Sequence, residues 1–179
     1  MNEESLLEIV RKQEEQIRAQ RFESAYFWDQ QGNLLFTKDG EVDRITFSDE
    51  EILRMHSAIA THNHPHGWKY SERDPRRAGY TFSSKDMQLA CQASLLLIRV
   101  VTPKFRYMMK SSLQGWNKTY GEKSLHPEYQ RTYQEVRTEY RAKVQARLIL
   151  QTEAESLLRH EVWSRVAARL GLVYCREEF

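Results

Sequence analysis

The chain is poor in cysteine, glycine and proline, and it has no long apolar run. Cys91 and Cys175 are the only cysteines. They are too few and too far apart for a disulfide framework or a cysteine zinc site, so a reducing compartment is expected. No stretch approaches the roughly 20 apolar residues of a membrane helix, and the acidic amino terminus lacks the basic-then-apolar order of a signal peptide. The expectation is therefore a cytoplasmic protein without a membrane partner. Strong charge of one sign is also missing, since 27 Lys and Arg face 25 Asp and Glu. That balance makes a wholly basic nucleic-acid binder an unfavoured class. Seven glycines and four prolines are scattered, with no repeat and no low-complexity tract.

What is present fits one domain of ordinary size with a helical appendage: 179 residues can bury a single core. Charge is unevenly spread, with 7 basic and 13 acidic residues over 1–60 against 10 basic and 4 acidic over 101–150. A solvated helix face accounts for the basic segment more simply than an anionic partner does.

Leu6, Leu7, Val10 and Ile17 recur at near-helical spacing, which predicts an amphipathic helix within residues 1–21, docked on the domain or on a partner. Ala25 to Trp28 and Leu34 to Thr37, separated by Gln31-Gly32-Asn33, predict a hairpin. Ser48 with Glu51 reads as a capping box opening a short helix. Ser57 to Thr61 reads as a buried strand running into His62, and Pro65 should mark where it ends. Residues 66–82 form a 17-residue stretch rich in Arg, Tyr, Gly and Pro. A loop that long is usually a lid, a binding loop or disordered. Ser83 or Ser84 caps a helix to about Ala93, and Leu95–Thr102 with Lys104–Lys110 predicts a second hairpin turning at Pro103. Beyond Gly121, two apolar stripes, Tyr129 to Leu148 and Ala154 to Leu170, predict one or two long helices ending at Gly171. The expected fold class is α/β of the α+β kind, a mixed sheet flanked by helices. The core would span residues 22–112, and a helical extension over 113–179 would pack on it.

The residues with chemistry lie around the buried strand. In extended backbone, side chains two apart share a face, so His62 and His64 can reach one metal ion, and Pro65 keeps His64 extended. A merely hydrogen-bonded histidine pair is the commoner arrangement. Ser83 followed three residues later by Asp86 reads first as a helix start. The same geometry turns Asp86 and the capping hydroxyl toward one region, so Asp86 could supply a third ligand and Ser83 a donor to an oxyanion. Two histidines and one carboxylate leave a fourth zinc position open, as a catalytic site requires.

His62-Asn63-His64-Pro65 with Ser83-x-x-Asp86 resembles the His-x-His-Pro, Ser-x-x-Asp signature of the JAB/MPN/JAMM zinc metalloproteases, and Asn63 is similar to the RadC-like and bacterial branches. The resemblance spans residues 22–112, including the order hairpin, helix, strand, helix, strand pair. It implies Zn2+ held by His62, His64 and Asp86, with Ser83 supporting the oxyanion. It also implies an upstream glutamate as general base, a place filled by Glu23, with Glu50 and Glu51 better explained by capping. Metal-assisted hydrolysis of an amide is the implied reaction, on a protein or peptide substrate that in the family is often a ubiquitin-like conjugate. The 66–82 loop is longer than the family's usual spacing. Its Trp68, Tyr70, Arg76 and Arg77 either bind substrate or decorate the loop, and His66 is an alternative ligand. Two other classes compete: a non-catalytic scaffold that keeps the fold, and a DNA-associated RadC-like protein. The sequence leaves the oligomeric state open.

Overall fold

A computed structural model describes residues 3–112, 115–116 and 122–179. The start of the carboxy-terminal extension at residue 113, and Gly121, lie outside the described residues. A six-stranded mixed sheet runs through the molecule in the order β2-β1-β3-β4-β5-β6. β1 (Ser24–Trp28) and β2 (Leu34–Asp39) form the first hairpin, and β4 (Leu97–Val101) and β5 (Phe105–Lys110) the second. β3 (Ile59–Asn63) joins them, antiparallel to β1 and parallel to β4. The parallel pair needs a crossover, which is supplied by the 66–82 segment and helix α3 (Ser84–Gln92).

Both faces of the sheet are covered, which is why β3 and β4 are buried at every position. Helix α1 (Glu3–Arg18) lays Leu6 and Val10 on Trp28, Ile59 and Leu97. On the opposite face Ala60, Ile98 and Val100 meet Met87, Ala90 and Cys91 of α3, and Val136, Val162, Trp163 and Val166 of the long helices α4 (Glu122–Gln145) and α5 (Gln151–Leu170). The period of two along β3 therefore sends Ile59 and Thr61 toward α1, and Ala60 and His62 toward the helical layer. Helix α2 (Asp49–Arg54) opens with the expected Ser48–Glu51 capping box.

Two features differ from the sequence expectation. The carboxy-terminal extension is not helical to its end. Gly171, left-handed at φ 68°, closes α5, and the chain then returns as β6 (Val173–Glu178), antiparallel to β5 at the sheet edge. The first apolar stripe also runs out early: α4 stops at Gln145, and Leu148 beyond it is exposed.

Residues 66–82, expected as a lid, a binding loop or a disordered tract, are ordered, with two 3-10 turns at Pro65–Lys69 and Pro75–Ala78. The Trp68 indole donates to the Arg18 carbonyl at 2.7 Å, and Ser156 Oγ donates to the Pro75 carbonyl at 2.9 Å, so α1 and α5 hold the segment from two sides. A Cβ on Gly67 would lie 2.5 Å from the Arg77 carbonyl, and Gly79 sits at φ +74°. Only glycine allows that approach and that backbone region.

Candidate metal centre

Three elements converge where β3 ends. β3 carries His62 on the face that meets α3, and the backbone stays extended through His64 (φ −111°, ψ 97°) before Pro65 starts the first 3-10 turn. The N-terminus of α3 supplies Ser83 and Asp86, and the residue preceding β1 supplies Glu23. All of His62, His64 and Glu23 are buried.

The ligand atoms form a compact triangle. His62 Nε2 and His64 Nε2 are 3.0 Å apart, His62 Nε2 is 3.2 Å from Asp86 Oδ1, and His64 Nε2 is 3.5 Å from Asp86 Oδ2. A tetrahedral ion with bonds of about 2.0 to 2.1 Å spaces its ligand atoms roughly 3.3 to 3.4 Å apart, so the three edges bracket what zinc requires. His64 Nδ1 lies 2.9 Å from the Tyr80 carbonyl, and the Nε2 atoms of His62 and His64 face each other. Donation from Nδ1 to a carbonyl leaves Nε2 with its lone pair, the tautomer a metal ligand needs. Two such lone pairs facing each other repel unless a proton or a cation lies between them. The donor set therefore fits a divalent ion, and His62, His64 and Asp86 are the group of described residues that could hold one.

The capping box is compatible with Asp86 as a candidate ligand. Ser83 Oγ accepts from the Asp86 amide at 3.2 Å, while the Ser83 amide donates to Asp86 Oδ2 at 2.6 Å. Oδ1 is left for His62, and the Ser83 hydroxyl keeps its own hydrogen to donate into the cleft.

Burial raises the Asp86 carboxyl, but His62, His64 and the Ser83 amide outweigh it and hold the group well below the usual carboxylate range. Burial pushes His64 down to about 4, with His62 and Arg159 adding to the effect and Asp86 opposing it. His62 is lowered by burial and lifted further by Asp86, Glu23 and the Arg99 backbone, for a net rise. Burial pushes Glu23 up to about 7, helped by Asp86 and Asp43 and opposed by His62 and Lys85. A dication at the three ligands would draw the Glu23 carboxyl down again.

No family model, curated protein or solved structure matches this chain. The geometry alone places the candidates. Glu23 Oε1 is 3.9 Å from His64 Nε2, so the upstream glutamate does reach the histidine pair. Glu51 is occupied elsewhere, closing its cap and pairing with Lys38 at 2.6 Å. Glu23, His64, Ser83 and Asp86 line one cleft of ≈ 260 Å³.

Trp68, Tyr70, Arg76 and Arg77 are not among the residues lining that cleft. Arg77 stacks on Trp68 at 4.1 Å and donates to the Trp68 and Tyr70 carbonyls. Arg76 pairs with Asp74 at 2.8 Å and stacks on Tyr70. Their polar groups go into building the segment. It presents Pro65, His66 and Tyr80 to the cleft instead. His66 does not join the ligand triangle and stacks on Tyr80 at 4.7 Å.

Sequence reasoning assigned no role to two residues that the structure makes important. The Asn63 side chain accepts from the Ser24 amide at 2.7 Å and donates to the Phe22 carbonyl at 2.8 Å, so it grips the backbone on both sides of Glu23. Arg159 of α5 lines the cleft from the extension. The place of Asn63 between two candidate ligands was a signal for the first. Nothing local in α5 marks the second.

Proposed function

We propose that this protein is a zinc-dependent peptidase or isopeptidase of the JAB/MPN/JAMM kind, hydrolysing an amide bond of a protein or peptide, with a ubiquitin-like conjugate as one candidate substrate. The convergence of Glu23, His62, His64 and Asp86 from three separate elements carries this reading. His62, His64 and Asp86 would hold the ion, and a bound zinc supplies Lewis acidity that brings the pKa of a water toward about 7 and polarises a carbonyl. Glu23, fixed by Asn63, takes the proton of the attacking water and passes it to the departing amine. The Ser83 hydroxyl donates to the oxygen on which negative charge develops. Cys91 and Cys175 are in no disulfide, and among the described residues no helix is long and apolar enough to cross a membrane. Both fit work in the cytoplasm.

The test combines metal analysis with hydrolysis of a peptide library. The protein should hold one zinc per chain and cleave, and Glu23→Gln should keep the zinc while losing about 10²- to 10⁴-fold in turnover. The same donors also suit ferrous iron, so the metal is identified by elemental analysis. Substoichiometric metal with unchanged stability after chelation would instead make the protein a scaffold. DNA affinity falling steeply with salt would favour a nucleic-acid role.

A further inference from the structure

We infer that the cleft selects substrates with a carboxylate close to the scissile amide, and that Arg159 is the residue that binds it. This rests on the hydrolase reading for the reaction, and on Arg159 itself for the selectivity. Three arginines lie on α5, and two are tied to carboxylates: Arg165 to Glu139 and Glu161, and Arg169 to Glu128 and Glu135. Arg159 makes no ion pair or hydrogen bond among the described residues. It is nevertheless held in place, half-buried, with its guanidinium 4.4 Å from the centre of the Tyr80 ring. Stacking uses the face of the guanidinium and leaves the N–H donors at its edge, the arrangement that grips a carboxylate with two parallel hydrogen bonds.

Its position is at the site. Arg159 lines the cleft with Glu23, His64, Ser83 and Asp86, and its charge acts on both His64 and His66. Lys85 lines the same cleft, whereas Arg44 at the rim is spent on Glu41 at 2.9 Å. Asp43 is the one further carboxylate in the lining, besides Glu23 and Asp86. With a dication on the ligands, Glu23 and Asp86 are balanced, and the cleft keeps a surplus of positive charge aimed at an anion. Tyr80 couples this arginine to the ligands directly, because its carbonyl is the partner of His64 Nδ1 while its ring carries both His66 and Arg159. His66 Nε2 is buried without a hydrogen-bond partner, so a further polar atom stands uncompensated beside the same ring.

The carboxylate could be a chain terminus or an acidic side chain, and three probes separate them: N-acetyl-glycylglycine, its C-terminal amide, and N-acetyl-aspartic acid α-amide, whose side-chain carboxylate is free. Each is titrated into metal-free and zinc-loaded protein and followed by the arginine Nε–H resonances. A carboxylate probe should bind about tenfold or more tighter than the uncharged amide and shift the Arg159 resonance. Arg159→Gln should abolish that preference with zinc content unchanged. Arg159→Lys keeps the charge without the fork, should retain part of the preference, and guards against a folding defect in the first variant. Response to the terminal probe alone makes the site one for chain ends, and response to the aspartyl probe one for acidic side chains. Equal binding of charged and uncharged probes, or a preference that survives Arg159→Gln, overturns the inference and leaves zinc binding and hydrolysis standing. Absence of zinc and of cleavage, with a carboxylate preference that tracks Arg159, overturns the hydrolase reading and leaves the anion site.

Discussion

Asn63 shows how one uncharged side chain can fix the geometry of the proposed site. Its neighbours His62 and His64 face the helical layer and the cleft. Asn63 itself points the other way along β3, and its amide holds Phe22 and Ser24. Glu23 is thereby fixed relative to the ligands at two backbone atoms, and a misplacement on the order of 1 Å costs about 10²-fold in rate. Asn63→Ala should therefore lower kcat by about that factor, with zinc affinity within a few-fold of wild type and KM little changed. Steady-state kinetics beside a zinc competition assay decides it. Loss of zinc binding in parallel with kcat would mean that Asn63 supports the strand and not the base. Among single residues, the convergence of His62, His64, Ser83 and Asp86 was legible because it follows from spacing along a strand and across a helix cap. Arg159 was not, because only the docking of α5 on the 66–82 segment brings it beside β3.

At the scale of elements, β6 was the largest omission, and its physics explains why. An edge strand has one hydrogen-bonded side and solvent on the other. Val173–Glu178 accordingly carries Arg176, Glu177 and Glu178, charges that blunt an edge and hide the strand pattern. The strand matters to α5, since His160 Nδ1 is 2.9 Å from the Tyr174 hydroxyl. Burial, with Arg176 adding and Glu161 opposing, pushes His160 from 6.5 down to about 4. The folded protein thus refuses a proton that the unfolded chain accepts below about 6.5. Stability from this group is complete above that pH and is lost as pH falls toward about 4. Partial exposure reduces the effect to about 1 to 2 kcal/mol. Urea midpoints measured from pH 7.5 to 4.5 should fall less steeply for His160→Gln than for wild type. Parallel curves would remove His160 from the acid response.

Across the whole molecule, the two faces of the sheet are held by different means, and the charged one is the more exposed to failure. The helical layer packs on apolar side chains. α1, in contrast, inserts Glu14, 0% exposed, against Arg99, 1% exposed, at the centre of β4. Arg99 donates to both carboxylate oxygens, at 2.5 and 3.0 Å, and Thr61 adds a bond at 3.1 Å. No local reading of Leu95–Thr102 as an apolar strand could reveal a partner 85 residues away. Arg99 also pairs across the sheet with Thr61, the neighbour of His62, so α1 braces the strand that carries a candidate ligand. Removing one partner leaves the other charge buried and uncompensated, a cost of about 3 to 5 kcal/mol, whereas replacing both by apolar groups of similar volume is often neutral or stabilising. Glu14→Ala should lower unfolding free energy by about that amount and weaken zinc binding. Glu14→Leu combined with Arg99→Met should recover most of the stability, because Arg106, whose Nε lies 3.2 Å from Glu14 Oε2, retains Glu15 as a partner. Zinc affinity in the double variant then separates two roles for α1. Recovery alongside stability makes the helix a brace whose chemistry is interchangeable, while stable protein with weakened zinc binding makes the Glu14–Arg99 pair itself the element that fixes His62.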